Sequence, residues 1–138
     1  MGTWGLGTFE DDIACDWLED LYDSDPIPFF SHCLDLTGLE DLEFLACIGV
    51  VCSAEIIQAL LREPRDGLPK VVYLWLDEYQ NLNVFPLLAD AIEGLRRVIS
   101  PDSEMHEFWE DEAENYDAWL NHVSDLIHRL QLARADHV

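Results

Sequence analysis

The feature that most constrains the fold is a long apolar segment in the middle of the chain, residues 39–62. Its centre, residues 44–54, is apolar nearly all round and lies between Glu43 and Glu55. A helix with this pattern is packed on several sides, and the apolar run is far shorter than the roughly 20 residues that span a bilayer. We therefore expect a central helix. The residues expected on or near one of its faces are Leu42, Leu45, Ala46, Gly49, Val50, Ala54, Ile57 and Leu61.

Helical stripes of apolar residues flank this segment on both sides. Asp11 or Asp12 is expected to cap a first helix, and residues 28–36 are expected to form a short second helix. Ser100 is expected to cap a later helix that has Pro101 in its first turn. The stripes with a helical period are Ile13, Trp17, Leu18 and Leu21; Val84, Leu88, Ala91, Ile92, Leu95 and Ile99; Met105, Phe108, Trp109 and Ala113; and Tyr116, Trp119, Leu120, Val123, Ile127 and Leu130.

One apolar run is ambiguous. Residues 71–76 contain no polar residue that would reveal a period, so periodicity cannot separate a buried strand from a buried helix there. A helix is favoured, because Pro69 suits a first helical turn and the polar residues 77–80 prolong the segment beyond the length of a short strand.

Length and composition are those of one folded domain. The chain has 138 residues, of which 49% are hydrophobic, with 5 Trp, 4 Tyr and 6 Phe, and this is enough to form a real core. We expect an all-α fold, a single compact domain over residues 1–138 with about five to seven helices. An extended N-terminal strap that contains Gly and Trp is expected over residues 1–9, a helical body over residues 10–134 and a tail over residues 135–138.

The charge of the chain is strongly negative. It has 7 Lys and Arg against 29 Asp and Glu, a net charge of −22, and residues 1–61 contain 13 carboxylates without a Lys or Arg. Nucleic acids and anionic membranes require a basic surface, so neither is expected as a direct partner. The polar face of the first helix is wholly acidic, which would attract a basic protein. The predicted partner-binding residues are Asp12, Asp16, Glu19, Asp20 and Tyr22.

The N-terminal glycines do not form a nucleotide-binding motif. Their order is G-x-x-G-x-G and acids follow them directly, whereas a phosphate-binding loop follows a strand and has the order G-x-G-x-x-G. They suit a strap in which Trp4 and Phe9 fill the core.

No other group of residues predicts catalysis or metal binding. Glu107, Asp111 and Glu114 share one helical face, which is typical of a solvated surface, and His122 and His128 point to different faces of one helix. The sequence therefore predicts no catalytic residue, no metal ligand and no cofactor.

The cysteines and the N-terminus indicate the compartment. Cys15, Cys33, Cys47 and Cys52 form no C-x-x-C pair and have no His at zinc-finger spacing, so we expect four buried, reduced thiols. The first residues lack the basic and apolar regions of a signal peptide. A cytoplasmic location is expected.

The opening residues, M-G-T-W-G-L-G-T-F-E-D-D-I-A-C-D-W, resemble a known family pattern. A largely bacterial family of small proteins, domain of unknown function 4259, begins with a pattern like M-G-x-W-G-x-G-x-F-E-N-D-x-A-x-D-W. A second block of that family is similar to residues 95–98 and 103–110 and to the pair Tyr116 and Trp119. Asp11 and Phe108 depart from it, since Asn and Leu are common at those positions.

The resemblance covers both ends of the chain and implies an all-helical fold and a bacterial source. It also favours a helix over residues 69–80, and it implies no activity and no catalytic residue.

Three classes of function remain compatible with these residues. The first is an acidic protein-interaction module without enzymatic activity, for instance an immunity-type or inhibitor protein that binds a basic partner. The second is an enzyme that uses carboxylates around a divalent metal ion. The third is a scaffolding subunit whose charge only prevents aggregation.

Overall fold

The computed structural model describes residues 8–9 and 12–136, which form seven α-helices and two 3₁₀ turns without a strand among them. The structure is 73% helical, so the predicted all-α fold is confirmed, including the helix over residues 71–76. The helices are α1 (Asp12–Tyr22), α2 (Pro26–Leu34), α3 (Phe44–Leu61), α4 (Lys70–Glu78), α5 (Leu88–Val98), α6 (Glu104–Asp111) and α7 (Tyr116–Asp136). The 3₁₀ turns, Phe85–Leu87 and Ala113–Asn115, lead into α5 and α7.

Helix α3 is the centre of the core. Every residue from Cys47 to Ala59 is buried, and the helix contacts all six of the other helices. By length and composition α3 could cross a membrane, with a mean hydropathy of 2.1, but 72% of it is buried inside the protein. Such burial is expected for a helix that is packed on several sides, and the predicted central helix is confirmed.

The start of α3 differs from the sequence prediction. The stripe predicts Leu42 and Leu45 as inward-facing residues of this helix, but α3 begins at Phe44 and Leu45 is 66% exposed. Leu42 is buried outside the helix, where its N–H donates to the carbonyl of Asp102 at 3.0 Å and its carbonyl accepts from the N–H of Glu104 at 2.9 Å. Because both backbone groups of Leu42 bond to the start of α6, to Asp102 just before it and to Glu104 as its first residue, the chain there is extended rather than helical.

The start of α6 also differs from the prediction. Its N-cap is Ser103 rather than Ser100, and the Ser103 hydroxyl accepts a hydrogen bond from the N–H of His106 at 3.2 Å. Ser100 instead closes α5, since its hydroxyl donates to the carbonyl of Arg97 at 2.7 Å. Pro101 consequently lies in the turn between the two helices and not in the first turn of α6.

Helices α3 and α5 approach each other closely at Gly94. A Cβ atom at this position would lie 2.9 Å from Cγ1 of Val50 on α3, closer than real Cβ contacts. Gly49 on α3 has more room, because a Cβ there would meet only ordinary contacts, the nearest being Cys33 at 3.6 Å. A side chain at Gly94 would therefore push α5 away from the centre of the core.

Other boundaries differ by a few residues. Helix α2 begins at Pro26, earlier than predicted, because the fixed φ of proline suits a first helical turn. Ala113 is exposed in a 3₁₀ turn, so its predicted inward orientation is wrong. Helix α7 continues to Asp136, which forms an ion pair with Arg62, so the first two residues of the predicted tail are helical.

Most of the predicted strap, including Trp4, and the alternative cap Asp11 lie outside the described residues. Thr8 and Phe9 are the described part of the strap, and both are buried. The four tryptophans that the structure describes, Trp17, Trp75, Trp109 and Trp119, are buried in the core.

The cysteines differ in exposure. Cys47 and Cys52 are buried as predicted, but Cys33 is half-buried and Cys15 is exposed, so the prediction of four buried thiols is wrong for Cys15. Burial raises the pKa of the Cys47 thiol, which lies 3.2 Å from the Ser103 hydroxyl.

Candidate functional site

The exposed face of α1 contains the five residues predicted to bind a partner. Its opposite face is anchored in the core by Ala14, Trp17, Leu18 and Leu21. Asp12, Asp16 and Asp20 recur every four residues and so form one row, with Glu19 beside it, and all four are exposed. Tyr22 is 41% exposed at the C-terminal end of this face. The exposed carboxylates therefore lie on a helix whose opposite face is packed in the core.

Tyr22 also belongs to a groove of mixed apolar and polar lining that the sequence did not predict. The groove has a volume of about 360 Å³ and is lined by Tyr22 together with Val71, Leu74, Trp75, Glu78 and Tyr79 of α4. Val71 and Leu74 are 48% and 57% exposed, whereas Trp75 is buried and its ring lies 4.5 Å from that of Tyr79 in a stacked arrangement. Partial burial raises the pKa of the Tyr22 hydroxyl, so this phenol stays protonated and neutral in the groove.

A buried ionic network lies elsewhere in the molecule, and its central pair is Glu55 of α3 and Arg65 of the following loop. The Glu55 side chain is 1% exposed and that of Arg65 is 10% exposed. The guanidinium donates from Nε to Oε2 of Glu55 at 2.9 Å and from Nη2 to Oε1 at 2.5 Å. It also donates to the backbone carbonyl of His122 at 2.9 Å and approaches Asp125 at 3.3 Å. Both charges are therefore compensated inside the core.

The pKa directions agree with this geometry. Burial lowers the pKa of Arg65, but the hydrogen bonds and negative charges of Glu55 and Asp125 raise it more, and the net shift is upward. Burial raises the pKa of Asp125, but hydrogen bonds from Arg129 and Arg65 lower it more. Arg65 consequently stays charged at every physiological pH.

Thr8 and His122 complete the network. The Thr8 hydroxyl lies 2.6 Å from Oε1 of Glu55 and 2.9 Å from Nε2 of His122, and the same Nε2 lies 3.1 Å from the Arg65 guanidinium. A guanidinium only donates hydrogen bonds, so Nε2 of His122 is the acceptor in its contact with Arg65. The Thr8 hydroxyl donates to Oε1 of Glu55, because a carboxylate only accepts hydrogen bonds.

This arrangement resembles an acid–base site in composition, and its members are hydrogen-bonded to one another. Arg65 donates to both carboxylate oxygens of Glu55 and lies 3.1 Å from Nε2 of His122. A cavity of about 130 Å³ adjoins the network, which lines it with Thr8, Glu55, Arg65 and His122. We interpret the network as a structural link between the chain before α1, helix α3, the loop after it, and helix α7.

Sequence reasoning missed this network, although one signal was present. Glu55 is the single charged residue of α3, and an acid inside an apolar helix requires a compensating cation. Arg65 follows shortly after it in the chain. Thr8 and His122 gave no such signal, because only the tertiary fold brings Thr8 to Glu55 and His122 to Arg65.

The described residues contain no group of three or more His, Cys, Asp or Glu side chains that could hold a metal ion. Glu107, Asp111 and Glu114 are exposed on the surface of the molecule. His128 is exposed, and it lies apart from the network that contains His122.

Comparison with known proteins gives a family. The model of a family described as domain of unknown function, DUF4259, matches residues 2–122, which agrees with the resemblance of both ends of the chain. Neither the comparison with curated proteins nor the comparison with solved structures gives a match.

Proposed function

The chain belongs to the DUF4259 family, and we propose that it acts as an acidic protein-interaction module of the bacterial cytoplasm. In this proposal it has no enzymatic activity and binds a basic partner protein through α1, as an immunity-type or inhibitor protein does.

The observation that supports the proposal is the division of α1 into two faces. One face is packed in the core, and the other presents exposed carboxylates that end at an exposed tyrosine. Carboxylates on a rigid face accelerate and orient the encounter with a basic protein, and an aromatic residue beside them is the type of residue that dominates binding energy at interfaces.

The absence of Lys and Arg from residues 1–61 strengthens the electrostatic argument. The nearest basic side chains in sequence are Arg62 and Arg65, and each of them forms an ion pair with a carboxylate, Asp136 and Glu55 respectively. Residues 1–61 therefore contain no Lys or Arg that would neutralise the acids of α1, and the next two arginines in the sequence are already paired.

The test uses a variant in which Asp16→Asn and Asp20→Asn are combined. Partners captured from a bacterial lysate by the wild-type protein are identified and purified, and association rates are measured by stopped flow at several salt concentrations. The double variant should associate more slowly, and its rate should depend less on salt, because exposed charges act mainly on association. The fold should be unaffected, since both residues are exposed.

A matched control removes the same charge from another surface. Glu107→Gln combined with Asp111→Asn changes two exposed acids of α6 and should alter the association rate much less. If the α1 variant bound every recovered partner with unchanged rates at all salt concentrations, the acidic face would be only a solvated surface and the proposal would fail.

A further inference from the structure

We propose that the groove between Tyr22 and α4 binds an amphipathic, basic helix of the partner protein. In this complex, apolar side chains of the partner helix enter the groove and its Lys or Arg side chains contact the acids beside it. The inference rests on the proposed function, which it makes more specific by naming the binding surface and the chemistry of the occupant.

The shape of the groove supports a helical occupant. Val71, Leu74 and Glu78 are spaced three and four residues apart on α4, so they form one exposed ridge. Tyr22 of α1 borders the same groove. A ridge of this kind accepts the side chains of a second helix between its own residues, and an amphipathic helix in an apolar groove is a recurring mode of recognition.

The floor of the groove is already in place. The indole of Trp75 is buried, it meets the ring of Phe30 edge to face with centroids 6.2 Å apart, and it stacks on Tyr79. The exposed residues Leu74 and Val71 therefore stand on a supported surface. Binding requires little rearrangement of the groove, which favours affinity.

The charges around the groove determine the kind of partner. Glu78 lines it, and Glu19 lies one helical turn before Tyr22 on the exposed face of α1. A second copy of this chain would bring the same acids together and would carry the same net charge of −22, which opposes association. A helix with Lys or Arg on both sides of its apolar row is complementary in charge and in shape.

The test uses three synthetic helical peptides of about 18 residues, a length at which helices are stable enough to form. The first has a Leu row at helical spacing flanked by Lys and Arg, the second has the same row flanked by Glu, and the third is a scrambled form of the first. Each carries a fluorescent label, and its anisotropy is measured as the full-length protein is added. Only the first peptide should bind saturably.

Two leucine variants then locate the binding surface. Leu74→Gln changes an exposed residue of the groove, and Leu45→Gln is the matched control, because Leu45 is also an exposed leucine but lies on α3 outside the groove. Leu74→Gln should weaken binding of the basic peptide by about tenfold, as expected for the loss of a buried leucine contact. Leu45→Gln should leave it unchanged.

The outcomes separate this inference from the proposed function. If the α1 variant weakened binding and Leu74→Gln did not, the acidic face would stand and the groove would be refuted as the site. If Leu74→Gln weakened binding and the α1 variant did not alter its rate, the groove would stand without the proposed role of the acidic face. Equal binding of the acidic or the scrambled peptide, the absence of saturable binding, or a dimer that Leu74→Gln disperses in sedimentation would each overturn the basic helix as occupant.

Discussion

Replacement of Arg65 by methionine tests the buried network most directly. The change removes two hydrogen bonds to Glu55, one to the His122 carbonyl and the contacts with Asp125 and with Nε2 of His122. It leaves a carboxylate that is 1% exposed without its cation. Removing one partner of a buried ion pair costs about 3 to 5 kcal/mol. Since a domain of this size is stable by about 5 to 15 kcal/mol, Arg65→Met should lower the free energy of unfolding severely.

The double variant Glu55→Met with Arg65→Met should recover most of this loss. Apolar replacement of both partners removes the uncompensated charge, and the Thr8 hydroxyl can then donate to Nε2 of His122, which lies 2.9 Å away. The coupling free energy between the two positions should be about 3 kcal/mol, near the upper end for residues in direct contact.

The measurement is urea unfolding followed by far-ultraviolet circular dichroism at neutral pH. Arg62→Met serves as the control, because Arg62 pairs with Asp136 on the surface and such pairs contribute about 0 to 1 kcal/mol. Should Arg65→Met unfold no more easily than Arg62→Met, the network would not be the closed ionic link described above. If the double variant were as unstable as Arg65→Met alone, or if both variants were unfolded, the reasoning about the uncompensated carboxylate would be refuted.

Four further predictions concern other parts of the molecule. Iodoacetamide should alkylate Cys15 first and leave Cys47 unmodified in the folded protein, as peptide mass spectrometry will show, because burial raises the pKa of the Cys47 thiol. Gly94→Ala should destabilise the protein by about 1 to 3 kcal/mol through overpacking, whereas Gly49→Ala should be neutral or stabilising; equal thermal melts would refute the close approach of α3 and α5. Because the pKa of Asp125 is lowered in the folded state, its contribution to stability is present above the unfolded pKa of about 3.9 and is lost as pH falls through the folded value. Asp125→Asn should therefore flatten the acid limb of the stability curve slightly, the effect being small at a carboxylate that is 48% exposed. Added salt should raise the melting temperature, because it screens repulsion within a chain of net charge −22; a flat dependence would indicate that the acids are neutralised by bound cations.

The helical framework could be predicted from the sequence because helical stripes are local. The spacing of Trp17, Leu18 and Leu21 is sufficient to assign α1 and to separate its buried face from its acidic face. The central position of α3, packed on several sides, likewise follows from the apolar residues 44–54 alone. In each case the spacing of the apolar residues indicates which sides of the helix are buried and which contact water.

Helix ends were less predictable, because an end depends on which backbone groups find partners elsewhere. Ser100 and Ser103 are both chemically suitable caps, and the choice is settled by the backbone bridge between the loop before α6 and Leu42. The same bridge sets the start of α3 at Phe44. The sequence around Ser100 and Ser103, and the sequence around Phe44, contain no information about that long-range pairing.

The sequence by itself determined the acidic face of α1, because all residues of that face lie within one helix. Only the tertiary structure decided that Tyr22 shares a groove with α4, that Thr8 and Arg65 meet at Glu55, and that His122 contacts both Thr8 and Arg65. Arg65 and His122 are 57 positions apart in the chain, and Thr8 and Glu55 are 47 apart. Local periodicity describes the faces of single helices, whereas the contacts between distant residues depend on how the helices pack around α3, because packing maximises burial and satisfies the polar groups that burial encloses.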